Sequence, residues 1–297
     1  MKISNYLSLN GEILDESQSA DILKNRGFLY GDGFFESMHW NVSGSTILHK
    51  IASDGESSGK ILFSDDHLKR IKNAFRILKF DDSVFDFNQL VEESEQLLKK
   101  NNILGDARIR MTFYRISEGN YTPANNKVGY MINASPLSFS GYVMNEEGYN
   151  IGFFKEQAKS RTSISNLKTL NSLVCVLAGI YARENKWDDI LIFNDAGNVI
   201  EFHTSNVFIT VDNCLFTPPL SDGCIDGVMR RQVIKLAIQC GITLNEKSLY
   251  PADIANADEI ILSNAVNGIR WVKQCDNKKY KKVFAEQLFS LLKNHID

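Results

Sequence analysis

The run Ala134-Ser135-Pro136-Leu137-Ser138-Phe139-Ser140-Gly141 does most to limit what this 297-residue chain can fold into. Small residues, a proline and a glycine break any helix or central strand at that point. Strand-like and helix-like patterns lie on both sides of the break, and a chain of this length can fill two cores. The expectation is an α+β fold in two domains. A small N-terminal domain would cover residues 1–134, an interdomain loop 135–141, and a larger C-terminal domain 142–297.

Before the break, residues 6–13 read as a strand, and residues 28–40 as two strand pieces turned at Gly31-Asp32-Gly33. Leu68, Ile71, Phe75 and Leu78 recur at helical spacing, which predicts a helix over 65–78; residues 87–101 read as a second amphipathic helix. Residues 107–115 alternate Arg108, Arg110 and Thr112 with Ile109, Met111 and Phe113, the pattern of a half-buried strand. Residues 41–59 hold a small, polar run that reads as an exposed hairpin tip or a mobile insertion. Beyond the break, 151–154, 189–193, 207–211 and 259–262 read as strands, and 173–185, 228–239 and 283–294 as helices.

A formal charge of -3 and a pI near 6.0 leave no electrostatic footprint for nucleic acid. The five cysteines, Cys175, Cys214, Cys224, Cys240 and Cys275, form no C-x-x-C pair. They read as reduced core thiols of a cytoplasmic protein, with no disulfide frame and no metal site. Met1-Lys2-Ile3-Ser4-Asn5-Tyr6 lacks a signal-peptide apolar block, and no apolar run reaches membrane-spanning length. A soluble protein with no membrane partner is expected.

Lys168 sits in Asn166-Leu167-Lys168-Thr169-Leu170-Asn171, and Glu201 follows 33 residues later, after the turn Asp195-Ala196-Gly197-Asn198. A lysine that bonds a carbonyl carbon must spend time as the neutral amine, which apolar neighbours such as Ile164, Leu167, Leu170, Leu173 and Val174 favour. A glutamate between Ile200 and Phe202 needs a cation or a hydrogen bond to keep its charge. Taken singly, a surface lysine and a solvated strand glutamate are the ordinary readings. Asp226-Gly227-Val228-Met229-Arg230 opens an amphipathic helix whose first N–H groups, backed by the helix dipole, form an anion site. Gly227 lacks the Cβ that would block close approach. Ser263-Asn264-Ala265 adds a hydroxyl, an amide and backbone donors. Arg70 stands at the edge of the stripe Leu68, Ile71 and Phe75, where it can reach a buried anion or extend into water. One lysine, one carboxylate and two phosphate-sized turns are the protein parts of a pyridoxal phosphate site.

With Arg26-Gly27-x-x-Tyr30-Gly31-Asp32-Gly33-x-Phe35-Glu36, these motifs make the chain resemble the class-IV aminotransferases, the fold-type IV pyridoxal 5'-phosphate enzymes. The resemblance runs through Val272. It implies a small α+β domain, a short interdomain loop and a larger barrel-like α/β domain, assembled as a homodimer. By the same resemblance Lys168 is the catalytic Schiff-base lysine, Glu201 the partner of the pyridine nitrogen and Arg70 the phosphate arginine. Gly227, Val228, Met229, Asn264 and Ala265 would complete the cofactor's phosphate cup. Tyr30, Glu36, His39, Arg110 and Arg115 are candidates for substrate binding; Arg110 and Arg115 lie on opposite faces of one strand. His39 stands where an arginine is common.

Met229 and Ala265 stand where branched-chain enzymes carry threonine, and Lys168-x-x-Asn171 is similar to the 4-amino-4-deoxychorismate lyases. The expected function is therefore action on a small molecule with an amino-acid moiety, by β-elimination to 4-aminobenzoate and pyruvate. Transamination of branched-chain or D-amino acids is the alternative. A non-catalytic binding module of the same fold is a third reading.

Overall fold

The computed structural model describes residues 6–15, 25–42, 59–83 and 85–296. The chain divides into two compact units. The first takes Met1–Gly141 and Lys168–Asn171, and the second takes Tyr142–Leu167 and Ser172–Asp297. Four residues around the candidate lysine thus group with the N-terminal unit, a return that no contiguous boundary captures.

The first unit is a six-stranded antiparallel sheet in the order β2-β1-β6-β5-β3-β4. Its strands are β1 (Tyr6–Leu9), β2 (Glu12–Asp15), β3 (Gly33–Asn41), β4 (Lys60–Ile61), β5 (Ala107–Arg115) and β6 (Val128–Pro136). The sequence places one strand over 6–13, but Asn10 and Gly11 adopt positive φ (53° and 91°) and turn it into the β1–β2 hairpin. Residues 28–30 are not strand either. They lie in the short helix α1 (Arg26–Tyr30), started by the Asn25 side chain accepting from Gly27 N and ended by Gly31 at φ 64°. Apolar Phe28 and Leu29 read as strand because five residues are too few to show a helical period. β6 runs on to Pro136, so the expected loop begins inside a strand. Residues 43–58, which hold most of the expected insertion, lie outside the described residues.

Helices α2 (Ser64–Leu78) and α3 (Phe87–Lys100) cover one face of this sheet, as their apolar spacing predicts. Phe34, Met38, Ile109, Met111, Phe113 and Ile132 from the strands meet Ile71, Phe75 and Leu97 there, all at 1% exposure or less. Phe34 stacks on Phe113 at 4.9 Å and meets Phe75 edge-on at 5.7 Å.

The second unit carries a nine-stranded sheet. Its strands are β7 (Tyr149–Lys159), β8 (Asp189–Asn194), β9 (Val199–Phe202), β10 (Asn206–Val211), β11 (Cys214–Thr217), β12 (Leu244–Glu246), β13 (Glu259–Asn264), β14 (Gly268–Cys275) and β15 (Lys278–Lys279). Six of them, in the order β10-β13-β14-β7-β8-β9, close into a barrel because β9 also pairs with β10. The closing pair is Asn206 opposite Glu201. Helices α4 (Leu173–Glu184), α5 (Val228–Gln239), α6 (Pro251–Asn256) and α7 (Val283–Ile296) accompany it. α4 packs on β7 and β8, while α5 and α7 pack on each other and on β13. No helix among the described residues is long and apolar enough to cross a membrane.

Phe113 is fully buried at the centre of the first unit's aromatic cluster. Phe113→Ala is expected to lower stability by about 3–5 kcal/mol, read as a shifted midpoint in urea unfolding.

Candidate active site

On the first unit, β3 pairs with β5 along one edge, and β4 covers only Trp40 and Asn41 on the other. The vacant stretch of that edge is taken by Lys168–Asn171. Phe35 N donates to Lys168 O at 2.8 Å, Leu170 N donates to Gly33 O at 3.0 Å, and Phe34 bridges Thr169. The Asn171 amide donates to Gly31 O at 3.2 Å. Lys168 is therefore placed by main-chain pairing opposite Phe35, and its Nζ lies 4.8 Å from the centroid of that ring. The Arg110 guanidinium sits over the same ring at 3.7 Å. Burial, then the charge of Arg108, pull Arg110 down from 12.5 to about 10, so it remains a cation at neutral pH.

Because side chains alternate, Glu36 falls on the opposite, core face. It accepts from Arg70 Nε and Nη2, each at 2.6 Å, and from His67 Nδ1 at 2.9 Å. Burial pushes the Glu36 carboxyl up, but the Arg70 charge and the hydrogen bonds from His67 and Arg70 outweigh it and hold it at about 2. Burial pulls the His67 imidazole down from 6.5, against the Glu36 carboxylate. Two further substrate candidates are also engaged inside this unit. His39 is fully buried and bonded to Asp106 Oδ2 at 2.7 Å. Arg115, 7% exposed, gives its Nε to Asp32 and its terminal nitrogens to Leu78 O, Lys79 O and Asn126 Oδ1. Arg26 grips the same Asp32 at 2.9 Å, which explains the Arg26 and Asp32 positions of the motif as a clamp before β3. Tyr30 is 37% exposed and tilts against Tyr121 at 5.7 Å.

On the second unit, Glu201 lies at the barrel's closing pair, 3% exposed. Its Oε1 accepts from Lys159 Nζ and its Oε2 from Ile225 N, both at 2.7 Å. A buried carboxylate is tolerable only with such partners. Lys159, 42 residues earlier in the chain, gave no sign of this role in the sequence. Asn206, opposite Glu201, donates to Ile225 O at 2.8 Å, so both residues hold the segment that leads into α5. A Cβ on Gly227 would meet Asn206 Oδ1 at 1.9 Å. The asparagine packed on it thus requires the glycine, a close approach within the protein that the sequence did not show. Burial, with Glu201's charge beside it, pushes the Cys224 thiol up to about 12. Cys240 is exposed and Cys175 and Cys214 are half-buried, so only two of the five thiols, Cys224 and Cys275, belong to the core.

α5 begins at Gly227 with no side-chain cap, which leaves the first N–H groups, at Val228 and Met229, without a capping side chain. Asn206 also pairs with Ser263, whose buried hydroxyl has no partner among the described residues. Asn264 Oδ1 accepts from Val266 N and Asn267 N, while Tyr142 donates to Ala265 O at 2.8 Å; all three bonds shape the turn before β14. Uncapped helix donors and an orphaned hydroxyl beside a buried carboxylate are the donor set that a phosphorylated pyridine calls for. Asn166 belongs here too: it donates to Leu220 O and Cys224 O, and Lys168 follows it by two residues.

The model of the amino-transferase class IV family matches residues 33–275, and the chain belongs to that family. The branched-chain-amino-acid aminotransferase of Escherichia coli (strain K12) is 25% identical over 281 residues, 93% of this chain and 86% of that one. The aminodeoxychorismate lyase of Bacillus subtilis (strain 168) is 24% identical over 265 residues, 87% of this chain and 82% of that one. The branched-chain amino acid aminotransferase from Thermobaculum terrenum, solved in its PLP form, has the same fold. Its TM-score is 0.81 at 20% identity, over 100% of this chain and 95% of that one. The protein is a pyridoxal phosphate-dependent enzyme of α+β fold.

Acid should weaken the first unit in two stages. Unfolded His67 binds a proton more readily than folded His67, so stability falls as pH drops through 6.5. Folded Glu36 keeps its charge down to about 2, so a second loss begins below 4.5. Urea midpoints followed against pH should show both stages, and His67→Gln should remove the first.

Proposed function

We propose that Lys168 is the amine that transfers a proton at the α-carbon of an amino-acid-type substrate, and that the reaction is the 4-amino-4-deoxychorismate lyase elimination. The observation that carries the site is the main-chain pairing of Lys168–Leu170 with Gly33–Phe35, which sets the Lys168 amine 4.8 Å from the centroid of the Phe35 ring that the Arg110 guanidinium also meets, at 3.7 Å. Bound pyridoxal phosphate would supply an electron sink for the carbon that loses the proton. Glu201, fixed in rotamer by Lys159 and Ile225 N, would hold the proton on the ring nitrogen. The N–H groups of Val228 and Met229 and the residues Asn264 and Ala265 would bind the phosphate, with Gly227 shaping the helix start, and Arg70 would add its charge from the position that its Nε and Nη2 bonds to Glu36 fix. The unpartnered Ser263 hydroxyl joins them.

Arg110 would orient the substrate carboxylate through its two-pronged fork. Arg115 and Glu36 are consumed inside the first unit, so their part is to support β3, and His39 supports it through Asp106. Tyr30 lies at the end of α1, next to the turn that Asn171 holds. Once Lys168 has taken the α-proton, loss of a β-substituent gives elimination, here 4-aminobenzoate and pyruvate. Return of the proton elsewhere gives amino transfer.

Met229 and Ala265 support the lyase reading, since neither position offers a side-chain hydroxyl to the cofactor. Transamination of branched-chain or D-amino acids is the second reading, supported by the 25% identity to the E. coli aminotransferase. A homodimer in the cytoplasm completes the proposal. Leu173, Val176, Leu177 and Ile180 make one helical stripe on α4 that is between 38% and 74% exposed, as a surface meant for a second copy would be.

Lys168→Ala should abolish the visible absorption band of the bound cofactor and lower turnover by about 10³-fold or more, with thermal unfolding little changed. Retention of the band would remove Lys168 from its role. Release of 4-aminobenzoate from aminodeoxychorismate, measured beside amino transfer to 2-oxo acids, decides the reaction; transfer without aromatic product rejects the lyase. Light scattering should report a dimer, and Leu177→Glu should shift it to monomer.

A further inference from the structure

β13 returns to β14 through a short turn in which Asn264 pairs with Gly268, and Ala265, Val266 and Asn267 form the loop. Two side chains set the shape of that loop. The Asn264 amide oxygen accepts from Val266 N at 3.1 Å and from Asn267 N at 2.8 Å. Tyr142, 123 residues earlier in the chain, donates its hydroxyl to Ala265 O at 2.8 Å. Ala265 O and Val266 N belong to one planar peptide group, so that plane is gripped at both edges. The pairing of β13 fixes the residue before it. Ala265 is therefore held on both sides, and its own N–H keeps one direction. The Val266 and Asn267 donors are spent inside the turn, whereas Ala265 N–H has no partner among the described residues.

Tyr142 is itself firmly mounted in the second unit. It is 7% exposed, and its ring lies on Gly268, where a Cβ would meet Tyr142 Cγ at 2.7 Å. Three residues on, Asn145 straps the same segment to β14. Its Nδ2 donates to Trp271 O at 2.9 Å, its Oδ1 accepts from Trp271 N at 3.0 Å, and its carbonyl accepts from Trp271 Nε1 at 2.7 Å. A phenylalanine would fill the space over Gly268 equally well. The hydroxyl adds the bond to Ala265 O, and with it control over one peptide of the turn.

We propose that Tyr142 is a positioning residue for the cofactor's phosphate, holding the Ala265 peptide so that Ala265 N–H is a preset donor. The proposal rests on Asn264 and Ala265 belonging to the phosphate cup, and it supplies what keeps their side of the cup rigid. An anion that meets a preset N–H does not have to order the turn as it binds, so less of its binding free energy is lost.

The test strips the full chain of cofactor and titrates it with pyridoxal 5'-phosphate and with pyridoxal, the same ring without the phosphate, following the visible band. The wild type should favour the phosphorylated ring. Tyr142→Phe keeps the ring on Gly268 and should narrow that preference about fivefold, with the affinity for pyridoxal unchanged. Asn264→Ala releases the other edge of the same peptide and should narrow the preference too. The double variant should then lose less than the product of the two single losses. Equal weakening of both ligands by Tyr142→Phe would mean a merely structural tyrosine and would overturn the proposal. So would fully independent losses in the double variant. A preference narrowed by Asn264→Ala but untouched by Tyr142→Phe rejects the role of Tyr142 and leaves the cup standing. If neither variant moves it, Asn264 and Ala265 lie outside the cup, and the proposal falls with that assignment.

Discussion

The buried carboxylate of Glu201 is the constraint on which the second unit turns. A charge that is 3% exposed must be answered locally, and here one answer comes from the far end of β7 and the other from the loop before α5. Lys159 reaches it beyond an irregularity in β7 between Phe154 and Ala158, where the register against β8 shifts. Ile225 reaches it because Asn206, across the closing pair, holds the same residue's carbonyl. The barrel's closure, the bend of one strand and the start of one helix are therefore tied to a single ionised group. Removing any one partner would leave a charge in the interior, which is why the arrangement is all or nothing.

In the first unit the strand's alternation separates two uses of charge. Glu36 turns inward and is matched twice over by Arg70 and His67. Phe35 and Ser37 turn the other way, toward Arg110 and Arg108, which meet no carboxylate among the described residues. The inward set stabilises; the outward set keeps its charge near the lysine's face of the sheet. Asp32 shows the same economy at the strand's start, where one carboxylate serves Arg26 and Arg115.

The periodic elements were legible in the sequence: α2, α3, α5 and β5 carry apolar residues at regular intervals over nine residues or more. α1 was not, since Phe28-Leu29-Tyr30 is too short to show a period and the cap at Asn25 lies before it. β12 and β15 were missed for the same reason, having three residues and two. Lys168, Glu201 and Gly227 stood out because each lies in a compact local motif. Lys159 and Asn206 did not, because their contribution exists only where distant strands meet. What packs on Gly227 stayed hidden for a related reason: the sequence showed a missing Cβ but not the asparagine that occupies its place.

The main-chain pairing that attaches the lysine segment to β3 uses only amide and carbonyl groups. Every residue type carries the carbonyl used at position 168, and every type except proline the N–H used at position 170. The scaffold's grip is thus indifferent to the side chain it presents, and position and reactivity are encoded separately. A lineage could exchange or lose the amine without dismantling its mounting, so this edge could carry a new reactive group as readily as the old one.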